Sequence, residues 1–152
     1  MQFSNYASLP LELAENVANI HERIPLSWDP LRTISSEKVF LTQKKLGSIN
    51  IAQTIVVAVD AHQELLGFHW VTIRNEKALI LSTWVDESKR QLGIGKSLKQ
   101  LGEAWVLKQN MNVIISKVHQ NNLKMKAFND RSGYVVVGEE KEYQIFQKNL
   151  VI

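Results

Sequence analysis

Val85-Asp86-Glu87-Ser88-Lys89-Arg90-Gln91-Leu92-Gly93-Ile94-Gly95-Lys96-Ser97-Leu98 is the stretch on which the reading of this chain turns. A β-branched, apolar segment (77–85, KALILSTWV) ends at its first residue and predicts a strand. An amphipathic helix begins after the glycines, with Ile94, Leu98, Leu101, Trp105 and Leu107 along one face to about residue 109. Glycines at 93 and 95 let the main chain turn tightly and bring successive N–H groups close to a ligand. The start of a helix adds unpaired N–H donors and partial positive charge. Strand, glycine turn and helix start together form a cradle suited to phosphate oxygens. Lys89, Arg90, Lys96 and Lys99 are expected to surround it with positive charge.

Outward from this stretch the hydrophobic period changes several times. Residues 54–59 and 65–74 read as strands, separated by a turn at 60–63, and Asn75-Glu76 turns into the strand at 77–85. Such close spacing favours an antiparallel meander. Upstream, Ser8, Pro10 and Glu12 mark a helix start, and Leu13, Val17, Ile20 and Ile24 recur at helical spacing. Pro25 and the Trp28-Asp29-Pro30 corner end that helix, and a second covers 35–46 before Gly47. Downstream come a buried strand at 111–118, a short helix at 122–130, a turn at Ser132-Gly133-Tyr134, and strands at 135–139 and 143–148. The order predicts an α/β fold, a mixed and mostly antiparallel sheet flanked by helices. The whole chain, 1–152, reads as a single domain.

Composition removes several classes of function. Apolar residues at 45% and charged residues at 22% describe a folded domain rather than a disordered tail. With no cysteine, thiolate catalysis, disulfides and cysteine zinc sites are excluded. The four histidines, His21, His62, His69 and His119, never pair at H-x-x-x-H spacing, so no metal is expected. The longest apolar run, 55–59, is far short of the ~20 residues of a membrane helix. The first residues carry no basic leader and no apolar core of an export signal, which points to the cytoplasm. Residues 1–76 hold 6 Lys/Arg against 8 Asp/Glu, whereas residues 77–152 hold 12 against 7. The basic half suits a small polyanion such as a nucleotide cofactor. Nucleic acid is not expected, because no basic strand carries stacking aromatics.

Two familiar glycine motifs fail on single residues. Gly95-Lys96-Ser97 resembles the end of a P-loop, but that pattern needs glycine where Arg90 stands. The dinucleotide pattern G-x-G-x-x-G needs glycine at 98, which is leucine. Arg90-x-x-Gly93-x-Gly95 instead matches (Q/R)-x-x-G-x-(G/A). With its preceding strand, its following helix, and the downstream run from Asn122 to Gly133-Tyr134, the chain resembles the GCN5-related N-acetyltransferase (GNAT) superfamily. Tyr134 stands for the phenylalanine of that family's Gly-Phe pair. The resemblance covers 52–148 as a cofactor-binding core, with 1–50 similar to the family's variable substrate-side helices.

The resemblance implies acetyl-coenzyme A as cofactor and an acetyl transfer to a primary amine by direct attack in a ternary complex. It implies that main-chain groups of Gln91, Leu92, Gly93, Ile94, Gly95 and Lys96 hold the pyrophosphate, beside Arg90 and Ser97. It also implies that Trp84 and Val85 meet the pantetheine arm, the Val85 N–H being a donor for the thioester carbonyl. Asn122 is either a contact to that arm or simply the cap of the next helix. The position of the tyrosine that many family members use as acid is occupied by Asn129, which cannot donate a proton in that way but can hydrogen-bond the sulfur. The strand position of the usual acidic base falls in the apolar run 78–81. His69 and His119 are the remaining base candidates, each also readable as a satisfied histidine. Asp86, Glu87 and Glu76 are weaker ones, more simply solvated or turn residues. Trp28, Asp29 and Glu37 are expected near the acceptor, a small-molecule or peptide amine. A second copy of the chain is kept as a potential partner, and a membrane is not. The alternative implied by Asn129 and the apolar strand is a non-catalytic domain that binds acyl-coenzyme A.

Overall fold

A computed structural model describes residues 1–50 and 52–151. Strand β1 (Gln2–Tyr6) leads into helix α1 (Leu11–Arg23), a 3-10 turn (Ile24–Ser27) and helix α2 (Ser36–Gly47). The meander β2 (Gln53–Val59), β3 (Leu65–Arg74) and β4 (Lys77–Val85) follows. Helix α3 (Ile94–Lys108), β5 (Val113–His119), α4 (Leu123–Arg131), β6 (Val135–Glu140) and β7 (Tyr143–Asn149) complete the chain. Across the described residues the strands form one mixed sheet in the order β1-β2-β3-β4-β5-β7-β6. The expected α/β class and nearly all its elements stand where the periodicity placed them. The exception is β1, which lies antiparallel on β2 with Gln2 beside Val59 and Tyr6 beside Ile55. Its segment QFSNY has too little apolar alternation to be read alone, and an edge strand is specified by its neighbour.

Helix amphipathy fixes the two sides of the sheet. The buried face of α1, Ala14, Val17 and Ala18, packs with Leu46, Ile55, Val57, Phe68 and Trp70. Helix α2 is capped by Ser35, whose hydroxyl accepts the Lys38 N–H at 3.2 Å. On the other side Leu98 and Ile94 of α3 pack on Val56, Ala58 and Leu66, and Val106 packs with Val71, Ile114 and Phe146. Helix α3 approaches β3 so closely that a Cβ at Gly102 would come within 2.6 Å of His69 Cδ2. His69 is fully buried in the strand beneath. Gly102→Ala is therefore expected to cost about 1–3 kcal/mol by overpacking. Urea unfolding checks this, and an unchanged midpoint would mean that the helix slides freely.

The pairing at the centre of the sheet is interrupted. Strands β4 and β5 are parallel, joined by the α3 crossover that a parallel pair requires. They pair only through Ala78–Ile114, Leu79–Ile115 and Ile80–Ser116. A bulge in β4 coincides with the end of this pairing, for Trp70 faces Ser82 while Val71 faces Ile80, leaving Leu81 extra. Beyond it β4 stays with β3 and β5 stays with β7, but the two no longer pair with each other, so the sheet opens into a fork.

Candidate functional site

The loop expected to cradle phosphate has the backbone geometry that such a site needs. Gln91 and Gly93 both adopt left-handed backbone, with φ of 68° and 82°. Residues alternating in this way turn successive N–H groups toward one side. Gly93 is the N-cap of the 15-residue α3 and gives it no side-chain bond. The first bond of the helix from this end runs from the Ser97 N–H to the Gly93 carbonyl at 3.1 Å. The N–H groups of Ile94, Gly95 and Lys96 precede it and are the open donors of the first turn. Arg90 bends back, its Nε donating to the Val85 carbonyl at 3.0 Å, which ties the loop to the end of β4. Lys89, Arg90 and Lys96 are exposed around the cradle. Lys99 corrects the expectation of four such cations, being only 2% exposed and turned inward.

The fork continues from the cradle. The Asp86 N–H donates to the Leu66 carbonyl at 2.8 Å, and Val85 lies opposite Gly67. Antiparallel neighbours alternate between bonded and non-bonded pairs. Val85 and Thr83 consequently point their main-chain groups away from β3, toward the gap left by β5, while Trp84 points its own at β3. The Trp84 ring stacks on Phe68 with centroids 5.9 Å apart. Two parallel amide-bearing edges face the gap, a site for an extended ligand rather than a compact one. Sequence reading missed Thr83, whose availability follows from ladder phase alone.

At the head of the fork lies a buried polar chain. Lys99 Nζ donates to Asn129 Oδ1, and Asn129 Nδ2 donates to Ser116 Oγ at 3.1 Å. Asn129 is fully buried on α4, and Ser116 is the last residue of β5 to pair with β4. The rings of Phe128 and Tyr134 each lie 4.3 Å from the Lys99 ammonium. Tyr134 donates its hydroxyl to Glu103 at 3.1 Å, and Lys148 pairs with the same carboxylate at 3.0 Å. Asn122 caps α4, its side chain accepting the Met125 N–H at 3.2 Å.

On the opposite face of β5, His119 meets the loop after α1. Trp28 stacks on its ring at 5.2 Å, and Tyr143 meets it edge-on at 5.4 Å. The Asn121 N–H donates to Nδ1 at 3.1 Å, so that nitrogen keeps its lone pair and the hydrogen sits on Nε2, 3.4 Å from the Glu142 carboxylate. Both ring nitrogens are engaged. His69, the other candidate base, holds Thr83 Oγ1 through Nδ1 at 2.7 Å and is sealed beneath α3. Asp29 and Glu37 are exposed, and Glu76 occupies the left-handed turn before β4, at the end of that strand remote from the cradle. No group of three or more metal-ligating side chains is placed to hold a metal, and no helix is long and apolar enough to cross a membrane, among the described residues.

Burial governs the proton chemistry. Desolvation lowers His69 to about 3, helped by the charge of Lys99. It lowers Lys99 to about 7, with Glu103 pulling back and Lys148 and Arg131 adding to the drop. Both shifts give the same sign of pH dependence. Between about pH 3 and 6.5 the unfolded chain protonates His69 and the fold does not; between about pH 7 and 10.5 the unfolded chain keeps the Lys99 proton and the fold releases it. The unfolded state binds more protons in each window, so these groups raise stability as pH rises. Urea unfolding at pH 5, 7 and 9 is expected to trace that rise, with Lys99→Met flattening its alkaline part. An identical alkaline slope in the variant would contradict it.

The Acetyltransferase (GNAT) family matches residues 20–134. Among solved structures, a GNAT-family acetyltransferase of Staphylococcus aureus Mu50 superposes with a TM-score of 0.79 at 15% identity, covering 99% of this chain and 100% of that one. The PaiA N-acetyltransferase of Thermoplasma acidophilum, in complex with coenzyme A, gives 0.72 at 20% identity, covering 98% and 99%. An aminoglycoside 6'-N-acetyltransferase complexed with coenzyme A gives 0.74 at 17% identity, covering 100% and 98%. These likenesses establish the fold. No curated protein matches the chain in sequence.

Proposed function

The chain belongs to the GNAT acetyltransferase family, and from that premise we propose that it moves an acetyl group from acetyl-coenzyme A to a primary amine by direct attack in a ternary complex. One observation carries the reading: the left-handed turns at Gln91 and Gly93 and the open N–H groups of Ile94, Gly95 and Lys96 stand at the mouth of an unpaired fork. A diphosphate fits the first and an extended, amide-bearing arm fits the second. Two neighbours of the same fold were crystallised with coenzyme A.

In this reading the main-chain groups from Gln91 to Lys96 hold the diphosphate, with Lys89 and Lys96 supplying charge. Arg90 keeps the loop closed against Val85, and Ser97 ends the run of open donors. The Val85 and Thr83 N–H groups are the donors offered to the arm's amide and thioester carbonyls, and a donor on the latter stabilises charge as it develops. Trp84 holds these two residues in place through its ring, and Asn122 sets the start of α4 beside the arm.

Acetyl-coenzyme A supplies an activated acyl group: the amine lone pair forms the new C–N bond, the C–S pair stays with sulfur, and the proton that nitrogen then sheds passes to the thiolate or to solvent. An amine with a pKa of about 10 arrives protonated, so a proton must first leave it for solvent or a base. The chain has no cysteine to carry an acyl group, which favours direct transfer over a covalent relay. Trp28, His119, Tyr143 and Glu142 form the aromatic and acidic surface on which an amine acceptor would rest. The engagement of both His119 nitrogens and the burial of His69 favour a second reading, an acyl-coenzyme A binder without turnover.

Calorimetry with acetyl-coenzyme A, then thiol release across small amines, polyamines and peptide N-termini, tests both. Binding with turnover supports the enzyme, and binding without thiol release supports the second reading. Absence of binding removes both.

A further inference from the structure

Lys99 is a buried cation without an anion. It has no carboxylate within salt-bridge distance among the described residues, and Glu103 one helical turn away is committed to Lys148 and Tyr134. An ammonium withdrawn from water in this way is costly unless something compensates it. Two aromatic faces and the Asn129 carbonyl compensate it in part. The remaining polarity is passed on in one direction. Lys99 donates to Asn129, and Asn129 donates to the Ser116 oxygen. The Ser116 hydrogen, with no acceptor of its own among the described residues, is left to point elsewhere. Each donor in such a chain is strengthened by the one behind it.

The fork supplies the place to which that hydrogen is offered. Ser116 is the last β5 residue paired with β4, opposite Ile80. From Ile80 to Val85 an extended strand covers roughly 17 Å. The pantetheine spacer between phosphate and sulfur has about the backbone length of four residues, roughly 14 Å when extended. A cofactor anchored beside Val85 and laid along Val85 and Thr83 therefore carries its sulfur to within about one residue's length, roughly 3 Å, of the head of the fork.

We propose that Lys99 is a positioning cation for the departing thiolate of coenzyme A, acting through Asn129 and the Ser116 hydroxyl. The proposal rests on the acetyltransferase reading and deepens it. It gives Asn129 a role suited to its chemistry: it relays the charge of Lys99 to a hydroxyl at the sulfur. Hydrogen bonding to the charged form lowers a thiol's pKa. Reciprocally, the thiolate holds Lys99 protonated, against the burial that lowers it to about 7. The other groups that bear on Lys99 are Glu103 on its own helix, His69 on β3, Arg131 on α4, Tyr134 before β6 and Lys148 on β7. All of them remain in the variants below.

The test reads the thiol itself. The chain has no cysteine, so in a complex with coenzyme A the only thiol is the ligand's. Its thiolate absorbance is followed against pH, free and bound, alongside calorimetric affinity. The bound thiol is expected to titrate about one unit below the free one, a tenfold gain in thiolate at neutral pH. Lys99→Met and, with less change in packing, Ser116→Ala should each return it to the free value, with calorimetry showing that coenzyme A is still bound when the thiol is read. Lys99→Arg should keep the depressed value. A wild-type thiol that titrates like free coenzyme A overturns the proposal, as does a depressed value that survives both Lys99→Met and Ser116→Ala. Failure of the wild-type chain to bind coenzyme A would be the distinct failure of the function reading.

Discussion

Gly93→Glu is expected to weaken coenzyme A binding by about 100-fold or more while leaving the chain folded. Nothing lies within 4 Å of a Cβ at this position, so the new side chain meets open space. Its stability cost is the left-handed backbone, φ 82°, at about 1–2 kcal/mol for a residue with a Cβ. The cost to binding is larger, because a carboxylate would sit where the diphosphate is proposed to rest. Like charges about 4 Å apart near a surface repel by about 4 kcal/mol before salt screening. Each 1.4 kcal/mol is about a tenfold change in affinity. Gly93→Ala shares the backbone strain without the charge and separates the two effects. Calorimetry with thermal melting reads both, and a glutamate variant that binds like wild type would move the diphosphate to another site.

Phe68→Ala is expected to be the most damaging single truncation, at about 3–5 kcal/mol. Phe68 is fully buried in β3, within the core cluster that joins α1 to the sheet. In a domain of this size that loss lowers the melting temperature by about 10 °C. It also removes the ring on which Trp84 stacks. Trp84 stands between Thr83 and Val85, the two residues that face the fork, so coenzyme A affinity should fall along with stability. Phe68→Leu, which fills most of the volume, should cost less than about 1.5 kcal/mol. Urea unfolding gives the comparison. If the alanine and leucine variants unfold alike, the core does not depend on that ring.

Local chemistry explains which parts of this molecule could be read from its sequence. The meander was legible because Gln53–Val59, Leu65–Arg74 and Lys77–Val85 are β-branched and separated by turns. The cradle was legible because glycine placement, strand end and helix start are all local. Lys99 was not. A lysine in an amphipathic helix reads as solvated, and only the partners from α4 and β5 show where it goes. Asn129 is marked by the family resemblance, yet its side-chain partners lie 13 and 30 residues away, where no local pattern shows them. The Trp28–His119 stack joins residues from opposite ends of the chain and leaves no periodic trace. The polarity of Thr83 depends on ladder phase, which a single strand does not carry.

The brief parallel pairing of β4 with β5 has a mechanical consequence. It is a seam of three residue pairs between β1–β4 on one flank and β5–β7 on the other, with α3 spanning the join. A ligand wedged into the opening above such a seam works like a keystone, bracing both flanks at once. Amide hydrogen exchange along 113–119 should slow when coenzyme A binds, because closing the gap restrains the flank that has the fewest ties of its own.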